Sequence, residues 1–150
     1  MDEVHWFIKG RKSHEHGVNT YIMTVVSREP RQILSFHVDN SVRTEFIQRM
    51  VDGLPDAKKY YVDGCHAYRE VYYPGRLCQN FINKNDTYTV ESINSDLRHY
   101  IPGLRRRSKI FYRTLETLRA VIAVFADAYN KFGDYKLSRK RIYKSVFDFL

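Results

Sequence analysis

Three acidic residues occupy positions at which a carboxylate could do chemistry. Asp63 ends a short apolar run and precedes Gly64, so it lies at the carboxyl end of a predicted strand. In open α/β sheets, ligands gather at that edge of the sheet. Asp2 opens a predicted first strand, and Glu91 lies on the polar face of a predicted helix.

Carboxylates that are brought together repel one another unless a cation lies between them. Hard oxygen ligands suit Mg²⁺ or Mn²⁺, which also bind substrate phosphate. Two such ions about 3.5–4 Å apart can activate a nucleophile and stabilise the leaving oxygen of a phosphodiester. Each acid also has a structural explanation, because an Asp before Gly is typical of a turn and a single helical Glu is usually solvated. The acids alone therefore leave both interpretations open.

The elements that must position these acids follow from hydrophobic patterning and turn residues. The predicted strands cover residues 2–9, 21–26, 33–38, 59–63 and 77–82, with a hairpin loop at 10–19. Predicted helices begin at Ser41, at His66, at Thr87 or Thr89 and at Ile110, and end near residues 52, 73, 101 and 130. Three antiparallel strands followed by alternating helices and strands favour an α/β fold with a mixed sheet covered by helices.

The helix that carries Glu91 has two distinct faces. Its apolar stripe consists of Val90, Ile93, Leu97 and Ile101, at the spacing of a buried helix face. An adjacent polar face consists of Glu91, Asn94, Ser95 and Arg98. We therefore expect the helix to pack on the sheet with Glu91 near the line of contact.

Composition bounds the partners of the chain. Its 150 residues are the usual size of one domain, and 25 Lys and Arg against 17 Asp and Glu give a net charge of +8. That balance favours a polyanion such as nucleic acid, although a basic protein without such a partner remains an alternative. Cys65 and Cys78 form no CxxC pair and are interpreted as reduced thiols. No apolar run is long enough for a membrane span, which predicts a soluble cytoplasmic protein.

Four motifs occur in a specific order along the chain. They are Met1-Asp2-Glu3 before an aromatic strand; Tyr61-Val62-Asp63-Gly64 followed by Tyr68; Thr89-Val90-Glu91-Ser92-Ile93-Asn94 with Leu97-Arg98; and Leu104-Arg105-Arg106-Arg107-Ser108 before a helix that closes with Tyr129-Asn130. The order and spacing of these motifs resemble those of the insertion sequence 1 family of bacterial transposases. The resemblance extends from Asp2 to about Phe132.

The resemblance implies a ribonuclease H-like fold over residues 1–150: an α/β mixed sheet of three antiparallel strands and then parallel strands, flanked by helices. It implies a DDE triad of Asp2, Asp63 and Glu91 that holds two Mg²⁺ or Mn²⁺ ions. It also implies cleavage and strand transfer at insertion-sequence ends. The residues that it assigns to DNA binding are Asn94, Arg98, Arg105, Arg106, Arg107 and Lys109. Asn94 and Arg98 could position either DNA or a carboxylate.

The resemblance further implies partners and departures. Transposon ends and target DNA would be bound as double strands by a homodimer or larger assembly, in the cytoplasm and associated with the nucleoid. The family pattern has a histidine where this chain has Ile93, and the N-terminal DNA-recognition region is absent from this sequence. Two alternatives remain: a ribonuclease H-like nuclease that only hydrolyses nucleic acid, and a truncated transposase that binds DNA without catalysis.

Overall fold

The structure, a computed structural model, describes residues 1–8, 18–79, 87–105 and 110–137. Its strands are β1 (Asp2–Ile8), β2 (Val18–Val26), β3 (Ile33–Asp39), β4 (Lys59–Val62) and β5 (Arg76–Gln79). Its helices are α1 (Thr44–Asp52), α2 (Tyr88–Tyr100) and α3 (Leu115–Leu137). Single 3-10 turns cover His66–Tyr68 and Pro102–Leu104. The mixed α/β class is therefore confirmed.

The strands form two sheets in the part of the chain that the structure describes. The first is antiparallel, in the order β1-β2-β3, with Asp2 opposite Thr24 at one end and Ile8 opposite Val18 at the other. The second is a parallel pair of β4 and β5. The amine of Met1 donates a hydrogen bond of 2.6 Å to the carbonyl of Tyr61, which joins the start of β1 to β4.

Both faces of the antiparallel sheet are covered by hydrophobic side chains. Residue alternation explains this, because successive strand residues point to opposite faces. One cluster joins this sheet to α1, β4 and the 3-10 turn at residues 66–68; its buried members include Met23, Val25, Ile47, Val62 and Tyr68. The other cluster joins the sheet to α2 and α3; its buried members include Val4, Ile22, Val38, Leu97, Leu118 and Ile122.

Helix α3 is fixed to β3 by side chains as well as by its apolar face. The Asn130 side chain accepts a hydrogen bond from the Ile33 backbone nitrogen at 2.8 Å and donates one to the Ile33 carbonyl at 2.9 Å. The Arg119 guanidinium donates twice to the Val38 carbonyl. These bonds satisfy backbone groups on the outer edge of β3, since β2 occupies its other edge.

Several predicted boundaries differ from the structure. The second strand begins at Val18 rather than Tyr21, because Val18 and Thr20 continue the pairing with β1. The helix predicted from Ser41 begins at Thr44, and Ser41 instead accepts a hydrogen bond from Arg43. The long helix predicted from Ile110 begins at Leu115, since Thr114 caps it by accepting a hydrogen bond from the Thr117 backbone nitrogen.

The helix predicted from His66 to Tyr73 is a single 3-10 turn, so that prediction is wrong. Beyond the turn, Val71 and Tyr73 are buried while Tyr72 and Pro74 are exposed. Burial at every second residue belongs to an extended segment, not to a helix. The predicted hairpin loop lies mostly outside the described residues, as does the end of the predicted fifth strand.

A groove of about 660 Å³ opens beside Met1. One wall is the end of β2 and the turn that follows it, and the other consists of residues 54–61, which lead into β4. The pairing of β1 with β2 ends at Thr24, so Val25 and Val26 extend beyond the first residue of β1. The groove therefore continues the line of β1 between β2 and β4.

Within the described ranges, no helix has the combination of length and apolar character that crossing a membrane requires.

Candidate metal centre

Three carboxylates converge where β1 begins and β4 ends. Asp2, Glu3 and Asp63 each offer one oxygen, and these atoms all lie within 4.8 Å of one another. All three residues are half-buried. Two of them, Asp2 and Asp63, are predicted site residues that come from distant parts of the sequence. The structure brings these two together and adds Glu3, which the sequence analysis did not assign to the site.

Asp2 and Glu3 are held from opposite faces of the first sheet. Asp2 shares the face of Val4, which packs under α2, and there Asn94 Nδ2 donates a hydrogen bond of 2.9 Å to Asp2 Oδ2. Glu3 lies on the other face, where the Tyr68 hydroxyl donates to Glu3 Oε2 at 2.9 Å. The Tyr68 side chain is fully buried, and its carbonyl accepts a hydrogen bond from Tyr73. Each carboxylate thus has one oxygen bonded by a side chain of the surrounding protein.

Asp63 is held by the segment that leaves β4. Its Oδ1 accepts a hydrogen bond of 3.0 Å from the Cys65 backbone nitrogen, which is the geometry of an Asx turn. The Gln79 side chain, at the end of β5, donates to the carbonyls of Asp63 and Cys65. The parallel pairing of β4 with β5 therefore fixes the position of Asp63.

The electrostatics of the cluster favour a positive ligand. Burial raises the pKa of Asp2, although the hydrogen bond from Asn94 opposes the shift. Burial and the nearby Asp63 charge raise the pKa of Glu3. Burial and the Glu3 carboxylate raise the pKa of the Tyr68 hydroxyl, so it stays protonated as a donor. Burial lowers the pKa of the Met1 amine to about 6.

Glu91 belongs to the same region but not to the group of three. It is the fourth residue of α2, and its Oε1 accepts a hydrogen bond of 3.0 Å from Thr87 Oγ1 at the start of the helix. Among the described residues, no group of three or more possible ligands within 4.8 Å includes it. Asn94, which contacts Asp2, lies one helical turn after Glu91, and side chains three apart on a helix are about 5–6 Å apart at Cβ.

Asn94 is buried rather than placed on the surface. Only 2% of its side chain is exposed, and its Oδ1 accepts a hydrogen bond of 2.9 Å from Thr24 Oγ1 on β2. Of the two roles that the sequence left open for Asn94, contact with a carboxylate matches this placement. Thr24 was not predicted as a site residue.

The predicted basic residues are described only in part. Arg98 and Arg105 line a shallow pocket of about 360 Å³ with Ser95 and His99, near the carboxyl end of α2. The Arg105 guanidinium donates twice to the His99 carbonyl. Arg106, Arg107 and Lys109 lie outside the described residues.

The site residues that sequence reasoning missed are Glu3, Thr24 and Tyr68. Glu3 follows Asp2 directly, and strand alternation sends it to the opposite face, which argues against a shared site. Convergence arises because β4 ends beside the start of β1, and this contact between distant segments is not encoded in local pattern. A signal for Thr24 existed, since a threonine within a run of apolar strand residues is buried and needs a partner.

Comparisons with known proteins give no relative for this chain. No protein-family model matches it, and neither the curated proteins nor the solved structures contain a match.

Proposed function

We propose that the chain is the catalytic domain of a DNA transposase that uses divalent metal ions to cut DNA and to join its 3′ ends to a target. The observation that carries this proposal is the convergence of Asp2 and Asp63, together with Glu3, within 4.8 Å. The order of sequence motifs independently assigns Asp2 and Asp63 to a metal site. Glu3 adds a third oxygen ligand of the kind that Mg²⁺ and Mn²⁺ prefer.

The donor set fits a hard divalent cation. One divalent ion would neutralise most of the negative charge of three ionised carboxylates, and burial is the largest cause of the raised pKa values of Asp2 and Glu3. Opposite ligands of Mg²⁺ lie about 4.2 Å apart, at about 2.1 Å from the ion. Adjacent ligands lie about 3 Å apart, so three oxygens that are all within 4.8 Å of one another are close enough to approach a single ion. Bound ions would supply activation of the nucleophile and stabilisation of the leaving oxygen.

Glu91 is the third member of the proposed triad, and its role requires a rotation of its side chain. In the structure its carboxylate faces Thr87, at the start of α2. Release of that hydrogen bond costs about 1.5–3 kcal/mol, the net contribution of a hydrogen bond to a charged group, and binding of the carboxylate to a divalent ion would offset this cost. The position of Glu91 one turn before Asn94 supports its reaching the cluster.

A ribonuclease H-like sheet is part of the proposal. In such a mixed sheet β4 lies parallel to β1 and next to it, which gives the order β3-β2-β1-β4-β5. The hydrogen bond between the Met1 amine and the Tyr61 carbonyl supports this neighbourhood. The three antiparallel strands and the parallel pair supply the two parts of that sheet.

DNA as the substrate is supported by charge. The chain carries a net charge of +8, and its Arg98 and Arg105 side chains line one pocket beside α2. Arginine guanidinium groups bind phosphate oxygens through paired donors. We propose that these residues, with Arg106, Arg107 and Lys109, contact the phosphate backbone of DNA ends bound by a dimer or larger assembly.

A strand-transfer assay tests the proposed function. The protein is incubated with Mn²⁺, a labelled duplex that presents a 3′-hydroxyl end, and a supercoiled plasmid as target. We expect joined product, and its loss in Asp2→Asn, in Asp63→Asn and in Glu91→Gln, whereas the control Glu116→Gln, exposed on α3, retains it. Plasmid cleavage without joining would instead identify a nuclease. DNA binding without any Mn²⁺-dependent cleavage would identify a non-catalytic DNA-binding protein.

A further inference from the structure

Thr24, Asn94 and Asp2 form a buried chain of hydrogen bonds that crosses three elements. Thr24 Oγ1 on β2 donates to Asn94 Oδ1 on α2 at 2.9 Å, and Asn94 Nδ2 donates to Asp2 Oδ2 on β1 at 2.9 Å. Thr24 Oγ1 also lies 3.4 Å from the Asp2 carbonyl oxygen. Thr24 and Asn94 are 1% and 2% exposed, so water does not compete for the bond between them, whereas the bond to half-buried Asp2 is partly buried.

The direction of the chain is set by the carboxylate at its end. An amide side chain can be placed with its oxygen and nitrogen in either order, and the neighbours decide between the two. Because an ionised carboxylate only accepts, the Asn94 nitrogen faces Asp2, and the Asn94 oxygen is left to accept from the Thr24 hydroxyl. The Asp2 carboxylate also interacts with the Glu3 backbone amide.

We propose that Thr24 is a positioning residue of the metal site, which acts through Asn94 to fix the Asp2 carboxylate and to align α2 with β1. This inference depends on the proposed function, since it gives these residues a purpose in holding the ligand Asp2. Alignment of α2 also positions Glu91, one turn before Asn94. In metal sites generally, loss of a hydrogen bond to a ligand lowers metal affinity or activity by about 10–100-fold.

The test compares the same substitution at two threonines of one strand. Thr24→Val removes the donor hydroxyl and keeps the side-chain shape. Thr20→Val is the matched control, because Thr20 is also fully buried on β2 but donates to the Val18 carbonyl, at the other end of the β1 ladder. Each variant loses one buried hydroxyl that donates a side-chain hydrogen bond, so a purely structural role predicts the same kind of outcome for both.

Two quantities are measured in full-length protein: the Mn²⁺ concentration that gives half-maximal DNA cleavage, and the exchange rate of the Asn94 side-chain amide protons by NMR. We expect Thr24→Val to raise the half-maximal Mn²⁺ concentration by about 10-fold or more and to accelerate exchange of the Asn94 amide protons. The KM for DNA should be unchanged. Thr20→Val should match the wild type in both, and Thr24→Ser should restore both because it restores the hydroxyl.

The outcomes separate failure of this inference from failure of the proposed function. Cleavage by the wild type with equal Mn²⁺ dependence in Thr24→Val and Thr20→Val would overturn the positioning role alone. Absence of Mn²⁺-dependent cleavage in the wild type would overturn the proposed function and, with it, the catalytic purpose assigned to Thr24. Unchanged exchange of the Asn94 amide in Thr24→Val would overturn the hydrogen-bond chain itself.

Discussion

At the scale of single residues, burial of the carboxylates in the acidic cluster lowers the stability of the fold. Asp2 and Glu3 are half-buried beside Asp63, and each has a raised pKa whose largest cause is burial. Their hydrogen bonds from Asn94 and Tyr68 offset only part of that cost. Perturbed pKa values of this kind cluster at functional sites.

This arrangement predicts how the stability of the metal-free protein depends on pH. A carboxyl group whose pKa is raised on folding binds its proton more tightly in the folded state, so the free energy of unfolding falls as pH rises through that range. The ordinary values are 3.8 for Asp2 and 4.5 for Glu3, and the fall lies above them. We expect the double variant Asp2→Asn, Glu3→Gln to be more thermostable than the wild type at about pH 5.5 and nearly equal to it at about pH 3, below both ordinary values.

Thermal unfolding in chelator at a series of pH values measures the difference. For a chain of about 150 residues, 1 kcal/mol corresponds to about 2–4 °C in Tm. Glu45→Gln, at an exposed position of α1, is the matched control and should give no such pH-dependent difference. A double variant that is no more stable than the wild type at any pH would contradict burial of the charges.

At the scale of elements, sequence pattern predicted what is local and missed what is not. The apolar stripe of α2 is buried as expected at Val90, Ile93 and Leu97, because helical periodicity follows from the chain alone. Val4 and Ile8 of β1 are likewise buried on one face, as strand alternation requires. The true extent of β2 depends instead on its partner strand, and the position of Asp63 depends on β5. Neither partnership can be read from residues near the element.

The pairing of β4 with β5 depends on a glycine where the two segments meet. A Cβ added to Gly75 would lie 2.0 Å from the Ala57 carbonyl oxygen, and the next residue, Arg76, donates a backbone hydrogen bond to Lys58. Gly75→Ala must therefore push β5 away from β4. We expect it to lower the free energy of unfolding by about 1–3 kcal/mol or more, as overpacking against fixed atoms does.

The matched control for this prediction is Gly53→Ala, where an added Cβ would meet only atoms at 3.6 Å and 3.7 Å. Denaturant unfolding should show a change of about 0.5 kcal/mol or less for the control. Since Gln79 at the end of β5 bonds the Asp63 carbonyl, Gly75→Ala should also weaken Mn²⁺ binding. Equal stability of the two alanine variants would argue against the close approach of the segments.

At the scale of the whole molecule, the acidic cluster joins residues of the two sheets. Asp2 and Glu3 belong to the antiparallel sheet, whereas Asp63 follows the strand pair β4 and β5. A short parallel pair opens more easily than a three-stranded sheet covered on both faces, because it buries fewer neighbours. If an ion binds all three carboxylates, opening of the β4–β5 pair must also break its contact with Asp63. The free energy of opening would then rise by the free energy of that binding.

Hydrogen exchange measured by mass spectrometry tests this coupling. We expect Mg²⁺ to slow amide exchange in peptides that cover β4 and β5 more than in peptides that cover β3. In Asp63→Asn the ion should lose this effect, while exchange in β3 stays as in the wild type. Equal slowing of exchange in both regions would mean that the ion does not bridge the two sheets.

Because of the groove beside Met1, the sequence of an affinity tag fused to Met1 should affect the stability of the fold. Met1 lines the groove, and a peptide attached to it would run between Val26 and Lys59, in line with β1. An extension of alternating Thr and Val could add backbone hydrogen bonds on both sides, as strand addition does. Relative to a Gly-Ser fusion of equal length, we expect such a fusion to raise Tm by several degrees, which corresponds to about 1–2 kcal/mol in the free energy of unfolding. A proline-rich extension should give no increase in Tm. Comparison of the tags therefore tests whether an extension of β1 can pair with both sheets at once.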